Sequence, residues 1–122
     1  MTGVALWLGV GVAGAAGTAA RFLLHEAARR VRSPFPFGTL AVNVSGTLVL
    51  GVLVGAALGG DAYRLAGTGF LGAYTTFSTW MHETHRLHGE GHAKAAWANI
   101  TVSLGLGLAA AVVGRRLGAA LS

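Results

Sequence analysis

No cysteine occurs in the 122 residues, so the chain has no disulfide framework, no thiolate metal site and no cysteine nucleophile. The redox compartment is not legible for the same reason. Charge is almost as scarce: 11% of the residues are charged, and Asp and Glu together number only 4. A soluble domain carries about 25% charged residues, so an ordinary water-soluble fold is excluded. With 53% hydrophobic residues and a mean hydropathy of +0.61, the chain reads as a membrane protein. Its net charge of +5 does not point to nucleic acid, because most of the basic residues flank apolar runs.

The two prolines, Pro34 and Pro36, fall together in Arg29-Arg30-Val31-Arg32-Ser33-Pro34-Phe35-Pro36, where they end one apolar run and force a connection. A membrane span needs about 20 mostly apolar residues, so four spans would use most of this length. The sequence predicts an all-α membrane protein with a single transmembrane domain over residues 1–122 and spans near 4–24, 38–58, 65–84 and 95–114. The first run lacks a preceding basic region and is too long for a plain signal peptide, so it is read as a span. Gly51 and Gly55 give the second span a GxxxG face for close packing. In the third, Gly67, Gly69, Gly72 and the pair Thr75-Thr76 interrupt the apolar run. That clustering predicts a helix break whose freed carbonyls need other partners. The polar stretch His82 to His92 is expected to be the third connection.

By loop parity Arg29, Arg30, Arg32, Arg86 and Lys94 fall on one side, and Arg64, Arg115 and Arg116 on the other. So weak a bias fixes orientation poorly and would permit an antiparallel dimer. Two G-x-G-x-x-G matches, beginning at Gly9 and Gly67, lie inside apolar spans and lack the strand and acid of a dinucleotide site. His82-Glu83-Thr84-His85 is one residue short of the H-E-x-x-H zinc motif, and a solvated surface is the simpler account.

Several polar residues sit where hydrocarbon makes them costly. Arg21, in the last turns of the first span, reads equally as an interfacial anchor or as a charge that recruits anions. Asn43 reads either as a helix-to-helix hydrogen bond or as an amide donor in a pore. Ser103, with Asn99 and Thr101 nearby, carries the same ambiguity. Phe77 and Trp80, three apart, would share a helical face with Tyr74, either as packing or with ring edges turned to a small anion.

The run Gly69-Phe70-Leu71-Gly72-Ala73-Tyr74-Thr75-Thr76-Phe77-Ser78-Thr79-Trp80 resembles the third-helix signature of the Fluc, or CrcB, fluoride channels. Gly38-Thr39-Leu40-Ala41-Val42-Asn43-Val44-Ser45-Gly46 resembles their second-helix signature. Gly14-Ala15-Ala16-Gly17-Thr18-Ala19-Ala20-Arg21-Phe22 resembles the first. The resemblance implies a passive fluoride channel of the cell membrane rather than an enzyme, built as an antiparallel, dual-topology homodimer that exports cytoplasmic fluoride. It also implies a structural sodium ion on the backbone carbonyls of Gly72 and Thr75. On the anion pathway it implies Asn43, Phe77 and Ser103, with Ser78 and Thr79 in the same motif. Two positions depart from the family pattern: Trp80 stands where a second phenylalanine is usual, and Asn99 where many members carry tyrosine.

Two other readings compete. A proton-coupled transporter of the small-multidrug-resistance type would need a carboxylate at mid-membrane, yet Asp61 and Glu90 fall in loops and Glu26 and Glu83 at span ends. A non-transporting membrane subunit would need only the GxxxG faces.

Overall fold

The computed structural model describes residues 2–122, and every regular element among them is helical. Helix α1, Gly3–Ala28, starts where the Thr2 hydroxyl accepts the Ala5 N–H at 3.3 Å, a side-chain cap on an otherwise unpaired first turn. The Pro34-Phe35-Pro36 turn then leads into α2, Phe37–Gly55. With the last helix, α1 and α2 are the three elements long and apolar enough to cross a membrane.

The third span is discontinuous. Its first arm, α3 (residues 60–74), opens with one α-turn, Gly60–Tyr63, winds as a π-helix through Arg64–Leu71, and closes with Gly72–Tyr74. Thr75 is extended, with φ −80° and ψ 160°. The second arm, α4, is Ser78–Gly89, and α5, Ala93–Leu121, completes the chain. The break falls at Thr75–Phe77, just beyond the glycines, which are absorbed into the wider π-turns instead.

The expectation for His82 to His92 needs correction, because α4 runs to Gly89 and only residues 90–92 remain to connect it. Glu83 and Leu87, four apart, face inward: Leu87 is buried and Glu83 accepts a hydrogen bond from the buried Thr39 hydroxyl of α2. His82, His85, Arg86 and His88 lie on the outer face of that helix. Among the described residues no group of three or more His, Cys, Asp and Glu side chains is placed to hold a metal.

Two tight seams organise the helices. Along α2 and α5, Gly51 and Gly55 face Gly114 and Gly118, also at GxxxG spacing. A Cβ added at Gly55 would stand 2.0 Å from the Arg115 carbonyl oxygen, one at Gly114 2.2 Å from that of Leu48, and one at Gly118 2.1 Å from that of Val52. Backbone meets backbone here, the contact small residues allow when lipid supplies no hydrophobic drive between helices. On the other seam α1 packs along α3, where Gly17 lies directly under the Phe70 carbonyl. The break therefore passes the chain from one partner to another, since α3 lies on α1 while α4 lies on α5.

Candidate functional site

At the break, Asn43 of α2 grips the backbone of Thr76 with both ends of its amide. Nδ2 donates to the Thr76 carbonyl at 2.8 Å, and Oδ1 accepts the Thr76 N–H at 2.9 Å. The helix-to-helix reading of Asn43 is therefore realised, and one of its two amide hydrogens is committed to it. The grip has a second effect. In an unbroken helix the Thr76 N–H would donate to the Gly72 carbonyl and the Thr79 N–H to that of Thr75. Here the first goes to Asn43, and the second goes to the Thr76 hydroxyl at 3.1 Å. The carbonyls of Gly72 and Thr75 are thus released from helical bonding, while Thr76 caps the first turn of α4.

Hard cations prefer oxygen ligands, and carbonyls freed in this way suit one. Thr75 keeps its own hydroxyl on the Leu71 carbonyl at 2.9 Å, so the side chain does not compete for that role.

Beside the break lies a cavity of about 530 Å3, open on one face and walled mainly by apolar groups. Asn43, Gly72, Thr75, Phe77, Trp80 and Ser103 all line it. Arg21, Ser78 and Thr79 do not, which separates them from the other residues singled out in the sequence. Arg21 is half-buried on α1, and Ser78 is exposed.

Phe77 and Trp80 meet edge to face, with ring centroids 5.8 Å apart and planes at 78°, the arrangement in which one ring's positive edge meets the other's negative face. Phe77 is 70% exposed in the single chain. Tyr74 departs from expectation, because the break turns it away from this pair. Its ring stacks on Phe70 at 5.8 Å, and its hydroxyl shares a 2.8 Å hydrogen bond with Ser45.

Sequence reasoning missed how Asn99 is used. Its side chain is wholly buried, and Nδ2 donates to the Thr84 hydroxyl at 2.8 Å. The Trp80 indole N–H donates to the Asn99 carbonyl at 3.1 Å, and the Ser103 hydroxyl lies 3.4 Å from Asn99 Oδ1. The sequence did flag positions 80 and 99 as the two departures from a family pattern, yet nothing in it says that they touch. Thr39 and Glu83 were missed in the same way, for their pairing spans 44 positions.

Long apolar helices, a span broken at mid-length and a part-polar cavity beside the break define a multi-pass membrane protein, with a discontinuous helix of the kind that lines ion and substrate sites. The particular family follows from comparison. A family model described as "CrcB-like protein, Camphor Resistance (CrcB)" matches residues 8–115, and the chain belongs to that family. It is 56% identical over 118 residues to "Fluoride-specific ion channel FluC 2" of Mycolicibacterium paratuberculosis, covering 96% of this chain and 97% of the relative. A protein of the same name from Mycobacterium tuberculosis is 55% identical over 113 residues, with 92% and 90% covered. "Fluoride-specific ion channel FluC 1" of Symbiobacterium thermophilum is 44% identical over 119 residues, with 92% and 96% covered. The chain is accordingly a multi-pass protein of the cell membrane.

Proposed function

We propose that the chain is a passive, fluoride-selective channel, that two copies assemble in opposite orientations to complete it, and that it exports fluoride and so limits fluoride toxicity. The observation that carries the reading is the break. Asn43 holds the Thr76 peptide and the Thr76 hydroxyl takes the Thr79 N–H, and together they release two backbone carbonyls beside an aromatic-walled cavity. Dimerisation draws support from the exposure of Gly72 and Phe77, which sit on the cavity's open face within one chain.

The chain's own groups supply the steps. Phe77 and Trp80 offer ring edges, and Asn43 keeps a second amide hydrogen beyond the one given to Thr76. The carbonyls of Gly72 and Thr75, released from helical bonding, would hold a sodium ion, whose fixed positive charge offsets part of the cost of stripping water from the anion. A hydrogen bond to a charged group is worth roughly 1.5–3 kcal/mol, so no one donor replaces a hydration shell and several must act in sequence. Neutral donors also let the ion leave. The family match and the relatives named as fluoride-specific ion channels support a channel rather than an enzyme.

The test is fluoride efflux from liposomes that hold the purified protein, with chloride-loaded and protein-free vesicles beside them. Fluoride release without chloride release and without a proton gradient is expected. In the same assay Phe77→Ala should lower fluoride flux about tenfold or more, the equivalent of one lost interaction of about 1.4 kcal/mol. It should leave the fold of each chain intact, because most of the ring is exposed within one chain, and flux is compared at equal amounts of recovered dimer. Flux that depends on a proton gradient would favour the coupled transporter, and no flux from folded protein would favour a non-transporting subunit.

A further inference from the structure

The cavity wall carries one oddity. Trp80 brings a strong N–H donor into a site read as binding an anion, yet that donor is spent on the Asn99 carbonyl, a helical acceptor with a lone pair to spare. Two further bonds cross between the same turns of α4 and α5, from Asn99 Nδ2 to the Trp80 carbonyl at 3.5 Å and to the Thr84 hydroxyl, and bonds within each helix extend the network. Thr84 donates through its hydroxyl to the Trp80 carbonyl at 2.9 Å, Asn99 Nδ2 donates to the Thr84 hydroxyl at 2.8 Å, and Ser103 reaches Asn99 Oδ1 at 3.4 Å. Asn99 serves both sides because an amide carries a donor and an acceptor, and its complete burial makes an unpaired end costly.

Asn99 does not line the cavity, but two of its partners, Trp80 and Ser103, do. A tryptophan ring tethered at Nε1 cannot rotate about its χ angles without losing that bond. Its angle to Phe77 is thereby fixed. The Ser103 hydroxyl, reaching toward Asn99 by a long bond, is held loosely enough to turn toward a passing ion.

We propose that Asn99 is a positioning residue for anion discrimination: its main-chain carbonyl holds the Trp80 indole N–H out of the ion path, and its side chain, with Thr84, fastens the α4 turn that carries the ring, so that the Phe77–Trp80 edge contact that selects fluoride over larger anions is fixed. This rests on the channel reading, and the test separates the two. Trp7 and Trp97 are exposed and lie off the cavity, so a Trp7→Phe, Trp97→Phe parent leaves Trp80 as the sole indole. In that full-length parent, in liposomes, Asn99→Leu removes the three side-chain bonds and keeps the main-chain carbonyl, so the indole bond loses the fastened turn that holds it in place. The expected result is a shifted Trp80 emission maximum, increased acrylamide quenching, and a fluoride-to-chloride flux ratio lowered about fivefold, the effect of roughly 1 kcal/mol. Thr84→Val cuts the same clasp from a half-exposed position and should reproduce these changes even where Asn99→Leu fails to fold. When Trp80→Phe is added, Thr84→Val should have little further effect on selectivity, because the ring it restrains no longer carries the tether.

An unchanged flux ratio and emission in Thr84→Val would overturn the clasp alone. Additive effects of Thr84→Val and Trp80→Phe on selectivity would overturn it as well. A parent that carries no fluoride would overturn both the clasp's role and the channel reading.

Discussion

The α2–α5 seam and the contact of α2 with the broken third span use different faces of the same helix in opposite ways. At the seam, four glycines let two continuous helices touch along their backbones, and every peptide group stays bonded within its own helix. A few turns earlier on α2, a single polar side chain holds a helix apart at its break by pairing both the N–H and the carbonyl of Thr76. Steric fit is sufficient where backbones are self-satisfied, and a polar clamp is required wherever they are not.

Four substitutions break or sharpen that contrast. Gly114→Val should have the largest effect. The branched side chain meets the Leu48 carbonyl, which cannot move aside as a flexible side chain would, and a cost of about 4 kcal/mol or more is expected. The check is the recovery of monodisperse protein by size exclusion, which should be near zero.

Asn43→Leu should come next, because it leaves both the N–H and the carbonyl of Thr76 without their partner. A loss of about 2–4 kcal/mol in unfolding free energy is expected. Fluoride flux should collapse even where dimers are still recovered. Normal flux from such dimers would remove Asn43 from the proposed pathway. Thr76→Val deletes only the hydroxyl that caps α4 and should cost about 1 kcal/mol, seen as a small fall in melting temperature with flux reduced rather than abolished. Arg29→Ala, at an exposed pair with Glu26 outside both regions, should change stability by less than about 0.5 kcal/mol and so calibrate the rest.

The seam was half legible from sequence. Gly51 and Gly55 announce a packing face, but their partners Gly114 and Gly118 sit astride Arg115 and Arg116, where the apolar run of the fourth span ends, and α5 continues to Leu121. The interruption of the third span was legible from its glycines and threonines. Its location was not, since glycines permit π-turns as readily as a break, and what decides is Asn43, 33 positions away. The histidine segment misled because its polar composition hides a spacing of four between Glu83 and Leu87, which turns one stripe inward. The Trp80–Asn99 clasp depends on the depth at which two helices are set side by side, a quantity that no local pattern encodes.

The hand-over at Thr75–Phe77 also bears on how the protein is made. The first arm of the third span is not, by length and composition, one of the segments able to cross a membrane unaided. Its break would carry bare peptide groups into lipid. Asn43 and α1, which satisfy and pack it, both precede it in the chain, so they are already synthesised when it emerges from the ribosome. Chain order thus places the groups that satisfy and pack the broken segment ahead of it in synthesis.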